Sequence, residues 1–248
     1  MLINLSLPNI KEKLKCELSV VIPVYNESLH IIQVLDEWKI IFNKLKIDYL
    51  FILINDGSKD DSLKIIQNQN FKSVVINKRN SGHGRSVRLG YDFSLTHTTS
   101  NYILQIDSDG QCRPNHFDKF WNEKNNYDFI LGKRVNRGDG IVRKLTSKIS
   151  SYLSSIILGS NLNDPNTPYR LISREILEKS LKYIPESFDI HNIALTYSIK
   201  KNKGSIKRLD ISFPMRMGGE NSINLTSVAQ MGISMLFGLY LLKKKNKW

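Results

Sequence analysis

Cysteine is nearly missing from this chain. Its 248 residues hold two, Cys16 and Cys112, far apart and without a CxxC partner. Thiols so placed argue against a disulfide framework or a structural zinc site, suit a reducing compartment, and read as small buried residues. Histidine is sparse too, with five, and neither His83 nor His191 has a second histidine or cysteine at metal-ligand spacing, so neither reads as a ligand. The opening stretch MLINLSLPNIKEKLKCELS lacks the basic flank, long apolar run and small-residue cleavage site of a secretion signal, which gives a cytoplasmic location as the expectation. No glycine follows the first apolar run, where a dinucleotide-binding GxGxxG belongs. No helix-turn-helix, zinc or RNA-binding aromatic signature is present, so a nucleic-acid-binding protein is poorly supported. Repeats and low-complexity segments are absent too.

Positive charge, by contrast, is in excess. A formal net charge of +13 draws anions in general, whether nucleotides or phospholipid surfaces. With 41% hydrophobic residues the chain can bury one sizeable core, which fits a single α/β domain with an appended segment. Short apolar runs at 18–24, 49–54, 73–77, 102–106 and 128–131 read as buried strands. Stretches at 28–45, from about 60, and at 84–95 read as the intervening helices, with Ser28 as a helix cap. Alternation of this kind predicts a mainly parallel sheet covered on both faces. Further on, an apolar helix through about 158, helices at 174–183 and 191–201, and a late strand at 205–213 are expected. The basic run at 200–208 reads as a solvated edge or as a face toward anionic lipid. The tail SVAQMGISMLFGLYLL is short of the roughly 20 residues of a membrane span, and KKKNKW follows it. It reads either as a terminal helix packed on the domain or as an interfacial helix with a basic end.

Ligands of such sheets bind beyond the carboxyl ends of the strands, and the polar clusters lie there, after Val24, Ile54 and Ile106. Asp107 and Asp109 follow the fourth of the well-marked strands at i, i+2. Two carboxylates so close repel, and a cation is the economical reason for placing them together; Mg²⁺ or Mn²⁺ would take their oxygens and leave positions for substrate phosphates. Gln111 adds a neutral oxygen. The alternative is an acidic turn. Pro23, Tyr25 and Glu27 end the first strand, and Asn55, Asp56, Ser58 and Asp60 the second, where acidic groups suit ribose hydroxyls or a base edge, or serve as caps and turns. Residues Asn80 to Arg85 form a glycine-bearing loop at a helix start, with Gly84 permitting close backbone approach.

The ordered set VIPVYNES, NDGSKDDS, NSGHGRSVRLGYDFS, YILQIDSDGQCRP and FILGKR resembles the family-2 glycosyltransferases of the GT-A fold. It is most similar to the dolichyl-phosphate mannose synthase-like, or polyprenyl-phosphate glycosyltransferase, branch, over about residues 18–222. The resemblance implies a GT-A-type, Rossmann-like α/β domain at 18–222, an N-terminal extension at 1–17 and an apolar and basic helical extension at 223–248. It implies a metal site at Asp107, Asp109 and Gln111 for Mg²⁺ or Mn²⁺. Nucleotide-sugar contacts are implied at Pro23, Tyr25, Glu27 and Asp56, with Gly84 and Asp107 beside them. Family members often carry Asp where this chain has Asn55.

Arg134, Arg143 and Ser147 match positions near the acceptor phosphate, and Arg170 matches an arginine downstream of Asp164. Arg216, in a segment like the family's F-x-x-R…G-E-S loop, would lie on the donor phosphate; Ile223 stands where a lysine often follows. The implied reaction is inverting transfer of a hexose from a UDP- or GDP-sugar to a polyprenyl phosphate at the inner membrane face, with Asp109 and Arg216 in the chemistry. The alternative is sugar-to-sugar transfer in surface polysaccharide assembly, with Asp164 as the base that a hydroxyl acceptor requires. Oligomeric state has no signature in the sequence.

Overall fold

The computed structural model describes residues 2–4, 12–135, 152–156, 158–159, 164–186, 188, 191–214 and 237–245. Strand β2 (Leu18–Val24) and strand β3 (Tyr49–Asn55) are buried at every position, which is why both read as unbroken apolar runs. They pair in parallel at the centre of an eight-stranded sheet. Parallel strand β4 (Ser73–Asn77), reached through helix α2 (Ser62–Gln67), flanks β3, and β1 (Leu2–Asn4), within the stretch expected as an N-terminal extension, joins β4 at the edge. On the other side, β5 (Tyr102–Gln105) runs parallel to β2. Then come β7 (Arg170–Ser173), antiparallel to both its neighbours, β6 (Phe129–Val135), and β8 (Ile206–Ser212) parallel to β6.

Alternating strand side chains split the core into two layers. Val20, Ile22, Phe51 and Leu53 face helix α1 (Ile31–Lys44) through Trp38 and Phe42, with α4 (Phe117–Asn122) contributing Phe117 and Phe120. Val21, Ile52 and Ile54 face α3 (His83–His97), α5 (Arg174–Leu181) and α6 (His191–Lys201) through Val87, Tyr91, Leu177 and Leu195. The close approach of α3 to the sheet needs a glycine: a Cβ on Gly90 would lie 2.3 Å from Val21 Cγ1. This packing fixes where the first turn of α3 meets the strand ends.

The expected mainly parallel, doubly covered sheet is the fold that forms. Three local expectations differ. Helix α1 begins at Ile31 after His30, not at Ser28, because the Ser28 amide donates to Asp60 Oδ2 at 3.1 Å and 28–30 are spent on a turn. Strand β7 and helix α4 were not anticipated; at four and six residues they are too short to show a period.

Candidate active site

The carboxyl ends of β2, β3 and β4 stop in register, Val24 beside Asn55 and Asn55 beside Asn77, so their loops open on one side of the sheet. Hydrogen bonds brace these loops across the strands. The Asp56 amide donates to Val24 O (2.9 Å), the Asn26 amide to Ser58 Oγ (3.1 Å) and the Glu27 amide to Ser62 Oγ (2.8 Å). Asp60, bonded by Ser28 and Ser62, is held below the usual carboxylate value; burial opposes this, and the hydrogen bonds prevail. Asn55 is absorbed by the frame as well: its Nδ2 donates to Asn77 Oδ1 at 2.7 Å and its Oδ1 accepts from Ser58 at 2.6 Å. Gly57, at φ +69, turns the chain where a Cβ would strike Asn80 N at 2.7 Å.

The braced loops enclose a cleft of about 350 Å³ lined by Pro23, Val24, Tyr25, Glu27, Asp56, Asn80, Gly82, His83, Ser86, Asp107, Ser108 and Asp109. Pro23, Tyr25, Glu27, Asp56, Asp107 and Asp109, each expected at a site from the sequence, thus share one cavity. Tyr25 is exposed at its rim and Glu27 is buried. Asp56 is buried too, and its carboxylate is engaged within the protein: Oδ1 accepts from Ser81 N (2.8 Å), Oδ2 from Gly82 N (2.9 Å), and Lys78 Nζ closes an ion pair on Oδ1. Its geometry shapes the loop that leads into α3. Gly84 lies buried in the first turn of that helix.

Asp107 and Asp109 stand on the turn after β5. Ser108 Oγ donates to Pro23 O (2.9 Å), Gly110 adopts φ 77, and the Gln111 amide donates to Asp109 Oδ1 at 3.0 Å, which turns the two carboxylates toward the cleft. His83, set aside in the sequence for want of a companion histidine, donates from Nε2 to Asp107 Oδ1 at 2.9 Å. Partial desolvation of this half-exposed ring works against its charged form, but Asp107, with Asp109 behind it, raises it above the usual histidine value while Arg170 opposes. The signal in the sequence was its place between two glycines at a helix start.

Among the described residues no three His, Cys, Asp or Glu side chains cluster as a metal cage. The donor set that exists, two carboxylates on the wall of an open cleft, fits a magnesium- or manganese-like ion that keeps most of its positions for phosphate and water.

Gln111 does not line the cleft. Its side chain is buried and its Nε2 donates to Pro214 O at 2.8 Å. Arg134 and Asp164, expected in different roles, are joined: Nε to Oδ2 at 2.9 Å and Nη2 to Oδ1 at 2.5 Å, with the guanidinium 5.1 Å from the Phe213 ring centre. Arg170 is wholly buried. It donates to Thr167 O (2.6 Å), Asn192 O (3.0 Å), Thr196 Oγ1 (3.2 Å) and Pro165 O, and burial lowers it to about 10. It stands within electrostatic reach of Asp107, Asp164 and Arg134, so these groups occupy one neighbourhood. Arg143, Ser147 and Arg216 lie outside the described residues.

A sequence profile of Glycosyl transferase family 2 matches residues 19–181. The undecaprenyl-phosphate 4-deoxy-4-formamido-L-arabinose transferase of Photorhabdus laumondii is 26% identical over 226 residues, 89% of this chain and 67% of that protein. The transferase of the same name from Klebsiella pneumoniae is 29% identical over 189 residues, 73% of this chain and 56% of that protein. The chain thus spans about two thirds of the length of the first of these relatives and little more than half of the second. Among solved structures, Mycobacterium tuberculosis glucosyl-3-phosphoglycerate synthase in complex with Mn²⁺, UDP-glucose and phosphoglyceric acid superposes with a TM-score of 0.64 at 20% identity, covering 92% of this chain and 79% of that one. Mannosyl-3-phosphoglycerate synthase of Rubrobacter xylanophilus gives 0.62 at 15% identity, covering 94% and 75%.

Proposed function

Because the chain belongs to glycosyl transferase family 2, we propose that it moves a hexose from a nucleoside-diphosphate sugar to a polyprenyl phosphate, with inversion and with a divalent cation. The observation that carries the reading is the single cleft in which Asp107 and Asp109 face the Pro23, Tyr25, Glu27 and Asp56 edge. In this reading residues 18–222 form the catalytic domain. Tyr25 and Glu27 meet the nucleoside, and the amide-rich start of α3 at Gly84 lies beside the donor. The lipid acceptor rests on the names of the relatives at 26–29% identity.

Asp107 and Asp109 would hold Mg²⁺ or Mn²⁺, which when bound offsets the charge gathering on the departing diphosphate. Arg216, expected from the sequence on the donor phosphate, would add a cation there. During transfer the bond from the anomeric carbon to the diphosphate oxygen breaks, and its electron pair leaves with the nucleoside diphosphate. A phosphate oxygen of the acceptor forms the new bond from the opposite side. Such an oxygen is already a nucleophile and needs no base. Arg134, with Arg143 and Ser147, is assigned to the acceptor phosphate and would exchange Asp164 for it.

A sugar-hydroxyl acceptor would need Asp164 as base, and its carboxylate is clamped by Arg134, which favours the phosphate. We also place the chain peripherally on a membrane, by way of its C-terminal helical segment. The helical segment 237–245 exposes Phe237, Tyr240 and Leu241 beside Lys243, Lys244 and Lys245, while Leu239 and Leu242 are buried. That face suits the headgroup layer of an anionic bilayer.

The test is transfer of labelled sugar from UDP- and GDP-sugars to a short polyprenyl phosphate, with and without Mn²⁺. A labelled, acid-labile glycosyl phosphate is expected only with the cation, and lost in Asp109→Ala. Arg216→Ala is expected to bind donor and turn over slowly. Folded protein that transfers from none of the donors, or that yields an acid-stable glycoside, would contradict the assignment.

A further inference from the structure

Gln111 is bonded at two ends. Its backbone amide holds Asp109 Oδ1 (3.0 Å) and its side-chain amide holds Pro214 O (2.8 Å), 103 residues along the chain. The side chain is buried, so this bond is made away from competing water. A second side chain from the same stretch reaches the same place: His116 Nε2 accepts from Ser212 N at 3.0 Å and lies 2.8 Å from Ser212 Oγ. Because that nitrogen accepts from an amide, the ring is neutral there. On the other side, Trp38 Nε1 donates to Cys112 O at 3.1 Å and pins the turn to α1. Among the described residues strand β8 is the sheet's edge and pairs with β6 alone, and these side-chain bonds fasten its end to the Asp109 turn. Between the two fastened residues lies Phe213, buried, with Arg134 over its ring and Asp164 bonded to Arg134.

We infer that Gln111 is a positioning residue: it couples Asp109, through the end of β8 and the Phe213 ring, to the Arg134–Asp164 pair. Its amide nitrogen does this as a donor to Pro214 O. The reading rests on the assignment of Asp107 and Asp109 to the cation and of Arg134 to the acceptor, and it adds a geometric link between the two. Disturbing Gln111 should therefore act on the acceptor side while cation and donor binding stay in place.

Two substitutions separate a donor from a ligand. Gln111→Met keeps the length and removes both polar atoms; Gln111→Glu keeps, and charges, the oxygen while losing the N–H. Three measurements apply to each: Mn²⁺ affinity from the electron paramagnetic resonance of free Mn²⁺, amide exchange over residues 206–214, and KM for donor and acceptor separately. In both variants Mn²⁺ affinity and donor KM are expected within about twofold of the parent. Exchange at the end of β8 should be faster, and acceptor KM raised about tenfold, the scale of one buried hydrogen bond. Loss of Mn²⁺ binding in Gln111→Met with retention in Gln111→Glu would make Gln111 a ligand and overturn the inference. Unchanged exchange in both variants would overturn it too. If the parent protein itself transfers no sugar, the proposed function fails, while the Mn²⁺ and exchange results still judge Gln111.

Discussion

Removing the Asp56 carboxylate should unfasten the loop that carries the donor-side wall of the cleft. Asp56 and Lys78 keep only 6% and 10% of their side-chain surface exposed, and the same carboxylate takes the Ser81 and Gly82 amides. Asp56→Ala leaves an ammonium ion buried without its counter-ion and two amides without an acceptor. Breaking a buried pair from one side costs about 3–5 kcal/mol. Lys78→Met is milder, about 1–2 kcal/mol, because Asp56 keeps both amide donors. The double variant should lose less than the sum of the two by at least about 1.5 kcal/mol, since the charge that made the first change costly is gone. Urea unfolding followed by tryptophan fluorescence measures all three, Trp38 lying in the core. Asp56→Ala within about 1 kcal/mol of the parent, or strict additivity in the cycle, would refute the reasoning and make Asp56 a solvated group free for a nucleotide.

Gly90→Ala should destabilise by about 1–3 kcal/mol, because the added methyl meets Val21 Cγ1 at 2.3 Å and α3 must shift; an unchanged melting midpoint would mean that the helix is looser than described. Stability should also fall on mild acidification. Burial first, then Lys119, lowers His116 below 6.5, and burial first, then Arg88, Arg170 and His83, lowers His191 far more. The unfolded chain then binds more protons just below that pH, so their contribution is complete above about 6.5 and is lost as pH drops through the lowered native values. His83, raised instead, contributes fully below 6.5 and does not offset this slope. Melting followed from pH 6.5 to 5 should show the decline, and His191→Phe should flatten it; an equal slope in that variant would contradict the assignment. Arg170→Met should destabilise strongly, by about 3 kcal/mol or more, since Thr167 O, Asn192 O and Pro165 O lose a buried donor together; a change below about 1 kcal/mol would show that water replaces it.

The sheet was legible because β2 and β3 are buried on both faces and so spell continuous apolar runs, and because the polar clusters fall where parallel strands end. What escaped was of two kinds. Strand β7 is four residues of Arg-Leu-Ile-Ser whose identity comes from partners on both sides, and the start of α1 was decided by an Asp60 bond that local capping rules do not contain. In the cleft, residue types marked the carboxylates, but contacts between distant segments gave the others their places. His83 meets Asp107 at a separation of 24 residues, Arg134 meets Asp164 at 30, and Gln111 meets Pro214 at 103. A spacing rule reads Gln111 as an oxygen beside two carboxylates; only the folded chain turns its nitrogen toward β8.

The most direct measurement is a crystal grown with Mn²⁺ and a nucleoside diphosphate, with the anomalous signal of manganese located. The account expects one peak within about 2.0–2.3 Å of oxygens of both Asp107 and Asp109, bridging to the diphosphate, with the base beside Tyr25. A peak held by other residues, or a diphosphate bound with both carboxylates turned away from it, would contradict the account.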